Sequence, residues 1–330
     1  MSAARVLRSV GARAALRLGI VVTLGLAGCE RTAAPPGPVH ATASRRADGL
    51  ALRDWTAEPS VVDSERNAAC PRLLSSAPNV TEICCGLGLG GRLVGRTRYC
   101  TYPPAIEAVP SIGALNDLNV EVLLELKPEL ILVSGTSRAI TDRIARLGLR
   151  FESVPDWSLG DLFTGIARIG ELTGRSETAA RLCAGIRADL DAVAARYAGR
   201  PTYRVLLVTD PLSDPPTQPF AAGPGSFYDD LLRRAGHTNA AQAAARPFAP
   251  LALEFILSAD PEVIIELAPD DDSRPGGDAE ARRVWAKLGP LKAVAAGRVR
   301  VLAGRRYTIL GPRIAQTFDA LCRAIVGEQP

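Results

Sequence analysis

The run Gly86-Leu87-Gly88-Leu89-Gly90-Gly91 is the first segment whose spacing could do chemistry, because it fits the G-x-G-x-x-G pattern that cradles a dinucleotide. That chemistry needs the glycines directly after a strand and opening a helix. Here they follow a helical stretch, so they read as a C-terminal cap and turn. Gly223-Pro224-Gly225-Ser226-Phe227 lacks the G-x-S-x-G order of a nucleophile elbow, and Ser226 with Asp229 reads as an N-terminal helix cap. Hydrolase chemistry also wants a histidine base, and the chain holds only His40 and His237. The same scarcity argues against capture of bare zinc or manganese, which several imidazoles would hold; carboxylate-only binding stays formally open. The expectation is no catalysis, no resident cofactor and no metal site.

The chain has seven cysteines. Arg5, Arg8, Arg13 and Arg17 precede a short apolar core, Leu18 to Ala27, which is too brief to span a bilayer. It ends in Leu26-Ala27-Gly28-Cys29, which resembles the lipobox of bacterial lipoproteins. That resemblance implies cleavage before Cys29, acylation of its sulfur, and a mature chain held on a membrane outside the cytoplasm. Cys70, Cys84, Cys85, Cys100, Cys183 and Cys322 remain. In an exported chain they can form disulfides, with pairings that the sequence leaves open. No paired Cys-x-x-Cys spacing points to a metal instead.

Composition is that of a globular protein, 47% apolar and 22% charged. Of 39 basic residues four lie in the signal, leaving 35 to face 35 acids, so net charge gives no reason to expect nucleic acid.

The elements that must carry any site follow from periodicity. Residues 1–28 read as signal, and 29–69, with Ala34-Pro35-Pro36-Gly37-Pro38, as a tether; order is expected from near Pro71. Leu73-Leu74, Leu130–Val133 and Phe151–Val154 read as buried strands among helices near Asn79–Leu87, Asn119–Leu126 and Arg138–Leu147, giving an α/β lobe over 70–157. Residues 158–199 show no strand pattern; Leu182, Cys183, Ile186, Leu190 and Val193 share one helical face, with a break at Thr173-Gly174. A second α/β lobe covers 200–330, with strands at Val205–Val208 and Val263–Ile265 and helices at Ser226–Ala235, Leu251–Ala259 and Arg313–Val326. The predicted fold class is therefore α/β, two lobes with mostly parallel sheets joined by a long helical connector.

An internal repeat ties the lobes together. Val120-Glu121 leads to Lys127-Pro128-Glu129-Leu130-Ile131, and Leu253-Glu254 leads to Asp260-Pro261-Glu262-Val263-Ile264, with Glu and Pro seven apart in both. Each is a short helix stopped by proline before a buried strand.

With these elements in place, Pro71-Arg72-Leu73-Leu74-Ser75-Ser76-Ala77-Pro78-Asn79-Val80-Thr81-Glu82-Ile83 resembles the opening motif of the cobalamin/iron-siderophore class of periplasmic binding proteins. Gly88-Leu89-Gly90, Leu93-Val94-Gly95, Tyr99, Tyr102-Pro103-Pro104 and Gly311-Pro312-Arg313 extend the likeness over about residues 70–326. The resemblance implies an interlobe cleft for a metal chelate (cobalamin, ferric siderophore or haem) and a rigid helical link with modest hinge motion. It implies ligand contacts from Tyr99, Phe220, Phe248, Arg305, Arg306 and Tyr307, and docking of Glu121 and Glu254 on permease subunits of an ABC importer encoded as separate chains. The protein is expected to act as a monomer. Leu115 departs from the pattern, standing where the cobalamin binders carry Trp. A different class remains open from residues alone: a lipoprotein of the same fold that binds a protein or polymer without transport.

Overall fold

A computed structural model describes residues 51–56, 70–114, 117–135, 138–270 and 273–328. The signal segment, Cys29, His40 and Leu115 lie outside the described residues.

The first lobe opens with β1 (Leu73–Ser75) and α1 (Pro78–Gly86), the helix starting at proline because that residue's missing N–H would go unbonded there anyway. β2 (Leu93–Arg96) follows, then a small antiparallel pair, β3 (Gly113–Ala114) and β4 (Asp117–Leu118). Next come α2 (Val120–Glu125), β5 (Leu130–Ser134), α3 (Arg138–Arg146) and β6 (Phe151–Val154). The four longer strands form a parallel sheet in the order β2-β1-β5-β6. The apolar runs of β1 and β5 are buried, as central parallel strands covered on both faces must be.

The connector is two helices, α4 (Leu159–Leu172) and α5 (Ser176–Tyr197), broken at Thr173-Gly174. Ser158 and Asp161 form a capping box at the start of α4.

The second lobe contains β7 (Arg204–Val208), β8 (Phe220–Ala222), α6 (Phe227–Arg234), β9 (Thr238–Asn239) and β10 (Phe248–Pro250). It continues through α7 (Leu253–Ala259), β11 (Val263–Ala268), α8 (Gly277–Trp285), α9 (Lys292–Ala295), β12 (Val299–Ala303) and α10 (Ile314–Val326). The sheet runs β10-β8-β7-β11-β12, with β9 also on β7; β8 and β10 are antiparallel and the rest parallel. Ser226 caps α6 by accepting the Asp229 N–H at 3.2 Å, the non-catalytic role its spacing suggested. One contiguous apolar core reaches from Leu73 and Leu130 through Ile186 and Leu190 to Val205, Val263 and Phe318, so both sheets share the connector as their common support.

Three features differ from the sequence expectation. β2, β12 and the antiparallel pair β8 and β10 add strands where none was predicted; each is short or lies at a sheet edge, where periodicity is weakest. The six cysteines among the described residues are all free and buried, packed as small apolar groups, and none of them is in a disulfide. Burial raises the thiols of Cys70, Cys84, Cys85, Cys183 and Cys322 above their ordinary range, which disfavours the reactive thiolate. Finally, order does not begin at Pro71. Residues 51–56 pack on the domain: Leu52 and Trp55 lie against the core, and the Trp55 indole N–H donates to Asp189 of α5 at 2.8 Å.

Candidate functional site

A parallel α/β sheet presents its loops, and therefore its ligands, at the carboxyl ends of its strands. In the first lobe that edge carries Ser76 just after β1, Ser134 ending β5, and Asp156 two residues past β6. Asn79 Nδ2 donates to Ser134 Oγ at 2.9 Å, and Ser134 Oγ donates to Asp156 Oδ2 at 2.7 Å. The Ser134 backbone N–H in turn donates to Ser76 Oγ at 2.9 Å, which locks the two loops together. Burial raises the Asp156 carboxyl above its usual range, against the lowering effect of the Ser134 bond.

This polar edge faces an open cavity of about 400 Å³ that residues of the second lobe close on the far side. Trp157, Phe227 and Phe248 supply aromatic faces, with Phe248 6.0 Å from Trp157 and 6.1 Å from Phe227 between ring centroids. Such a wall offers a large apolar surface to a flat or bulky ligand. Arg305 lines the same cavity, donating to Asp270 at 2.7 Å while its guanidinium stands 5.8 Å from the Tyr99 ring centroid of the other lobe.

A second, smaller cavity of about 180 Å³ adjoins it, bounded by Tyr99, Tyr102, Arg305, Arg306 and Arg313 together with Glu82. Glu82 of α1 and Arg313, just before α10, form a buried interlobe ion pair, Arg313 Nε donating to Glu82 Oε2 at 3.0 Å. Burial pushes the Glu82 carboxyl up despite that partner. Arg313 also lies over the Tyr102 ring, 3.7 Å from its centroid, and the Tyr102 hydroxyl donates to Asp54. Burial and that bond push the Tyr102 phenol up to about 12.

Of the expected contact residues, Tyr99, Phe248, Arg305 and Arg306 gather around these two cavities. Tyr99 is 46% exposed and is flanked by Arg98 as well as Arg305, each 5.8 Å from its centroid. Phe220, also 46% exposed, lines neither cavity. Tyr307 is buried at 5% exposure behind the wall: its carbonyl accepts from the Tyr228 hydroxyl at 2.7 Å, and its own hydroxyl accepts from Arg306 at 2.7 Å. Glu121 and Glu254 are exposed in the first turns of α2 and α7, as the repeat implied. Sequence reasoning did not single out Asn79, Ser134, Asp156 or Trp157. The crevice rule applied to the predicted strand ends Val133 and Val154 would have pointed to Ser134 and Asp156. Among the described residues, no group of three or more His, Cys, Asp or Glu is placed to hold a metal ion.

Known proteins share this fold over most of the chain. A model of the periplasmic binding protein family matches residues 75–305. An uncharacterised ABC transporter substrate-binding lipoprotein of Bacillus subtilis (strain 168) is 27% identical over 261 residues, spanning 77% of this chain and 79% of its own. A vitamin B12-binding protein of Vibrio vulnificus (strain YJ016) is 24% identical over 199 residues, 60% of this chain and 71% of its own. Two solved structures overlay well: the haem-binding protein RhuT from Roseiflexus sp. RS-1 in apo form (TM-score 0.63, 26% identical, 78% of this chain and 98% of that one), and the haem-binding protein BhuT in complex with two hemes (TM-score 0.66, 25% identical, 78% and 98%). With the family model spanning more than half of its length, the chain belongs to the periplasmic binding protein family, and it is an extracytoplasmic solute-binding protein rather than an enzyme.

Proposed function

We propose that this chain captures a metal chelate between its lobes and delivers it to the permease of an ABC importer, while a lipid on Cys29 holds it at a membrane outside the cytoplasm. The observation that carries the reading is the cavity itself. Three aromatic faces border a polar strand edge, with Arg305 reaching across from one lobe to Tyr99 of the other. Aromatic area suits the apolar faces of a macrocycle or a wrapped metal centre, and the guanidinium suits an anionic or carbonyl periphery. Relatives named for haem and vitamin B12 support the same class of cargo. Tyr99, Phe248, Arg305 and Arg306 are the contacts this reading assigns, and Glu121 and Glu254 the permease-facing pair.

Thermal unfolding of the purified chain against cobalamins, ferric siderophores and haemin tests it. A ligand present at one hundred times its dissociation constant adds ~2.7 kcal/mol of stability, which moves the midpoint by several degrees. The expected result is a rise with one class of chelate. A flat panel from well-folded protein would overturn the chelate reading.

A further inference from the structure

The larger cavity is electrically lopsided. The cation on its lining is Arg305, which Asp270 engages and which stands 5.8 Å from the ring centroid of Tyr99. At the strand edge the hydrogen bonds run one way, from Asn79 to Ser134 to Asp156, so the carboxylate terminates the chain as its acceptor. Among the described residues the Ser134 hydroxyl bonds to Asp156, and no Lys or Arg forms an ion pair with it; the nearby carboxylate of Asp161 carries like charge. Asp161 is itself committed to the cap of α4 through Ser158.

A carboxylate has about four lone-pair sites, and among the described residues the Ser134 hydroxyl is the one side-chain donor that meets this one. Capacity to accept is therefore left on a group that borders the cavity. Beside it stand the rings of Trp157 and Phe248, whose faces attract N–H groups and cations. A half-buried carboxylate without a cation is costly, and a donor arriving with the cargo would relieve that cost. A carboxylate arriving there would instead meet like charge.

Resting on the chelate reading above, we propose that Asp156, braced by Ser134 and Asn79, is a recognition site for a hydrogen-bond-donating nitrogen on the cargo, an amide or an ammonium. It thereby selects chelates with an amide- or amine-bearing periphery over those that present only carboxylates at that end.

The test is equilibrium titration of the full chain and its Asp156→Ala, Asp156→Asn and Ser134→Ala variants, read by the fluorescence of the cavity's Trp157 and by calorimetry. The probes are cyanocobalamin (neutral amides), ferrioxamine B (a free ammonium) and haemin (two carboxylates). Unliganded melting midpoints within a degree or two of wild type establish that the variants are folded. The wild type is expected to bind one of the nitrogen-bearing probes, and Asp156→Ala to weaken it about 10- to 100-fold, the loss typical of a hydrogen bond to a charged group. Ser134→Ala should weaken it less. Asp156→Asn separates the two sources, keeping most of the affinity for an amide and losing it for an ammonium. Unchanged affinity for that probe in Asp156→Ala overturns the inference. So does a wild type that binds only haemin and an Asp156→Ala variant that binds it as well or better, and in that case the chelate reading survives. A wild type that binds none of the three removes both.

Discussion

His237 shows what burial does to one titratable side chain. It is 6% exposed, and its Nδ1 accepts the Tyr203 backbone N–H at 3.2 Å, which fixes the neutral tautomer with the proton on Nε2. Desolvation lowers its pKa below the ordinary 6.5. The folded state therefore binds this proton more weakly than the unfolded chain does. Stability from this site is fully present above about pH 6.5 and is lost as pH falls through the lower folded value, with a slope of at most about 1.4 kcal/mol per pH unit. Urea midpoints between pH 7.5 and 5 should fall more steeply for wild type than for His237→Gln, which carries an amide in place of the titrating ring. Parallel slopes would show that His237 does not contribute. Individual site residues are hard to read from sequence for a related reason. Asp156 differs from any surface aspartate only through what surrounds it, whereas Tyr99 and Arg305 could be named because a motif accompanies them.

Elements were legible where the constraint is local. The repeated helix-Pro-strand units appear in the structure with matching detail beyond their spacing. Lys127 and Asp260, each just before the proline, both take left-handed backbone, with φ of 44° and 43°. Glu129 accepts the backbone N–H of Arg72, just before β1, at 2.6 Å, and Glu262 that of Arg204, which opens β7, at 2.8 Å. The Arg72 and Arg204 guanidiniums then donate to the carbonyls of Lys127 and Asp260, at 3.2 and 2.8 Å. Local sequence could not show the docking of residues 51–56, because its seat lies on α5, where Asp189 accepts from Trp55 across 134 positions. That seat is Gly185 of α5: a Cβ there would come within 2.1 Å of the Trp55 ring. Gly185→Ala should therefore expel Trp55, which such a clash forces more readily than it shifts a packed helix. Hydrogen exchange across 51–56 should accelerate to near the unprotected rate, as it should in Trp55→Ala, while β5 and β11 keep their protection. If the segment stays protected in Gly185→Ala, its seat is not this glycine.

At the scale of the whole molecule, the question is how a binding protein without a flexible strand hinge is recognised. The connector helices α4 and α5 lie in the same apolar core as both sheets, and α10 packs on α5, with the Tyr197 hydroxyl donating to Asp319 at 3.2 Å. The Glu82–Arg313 pair adds a buried ionic tie between the lobes. Removing one partner of such a pair would leave the other charge buried and unpaired, at a cost of about 3–5 kcal/mol. On the proposed delivery to a permease, large domain closure would be a poor signal of loading and fixed surface features the better one. Glu121 and Glu254 suit that role: each is exposed in the first turn of a short helix, one per lobe, at equivalent places in the repeat. Two carboxylates held apart by a rigid body specify orientation as well as attraction toward basic residues on a permease. Neither lines the described cavities, so their loss should leave cargo affinity alone. The double variant Glu121→Ala, Glu254→Ala is expected to bind cargo in solution like wild type yet to abolish uptake in whole cells, with each single variant falling between. Full uptake by the double variant would mean that the permease reads some other surface, and reduced cargo binding would mean that these carboxylates act on the cleft rather than on the transporter.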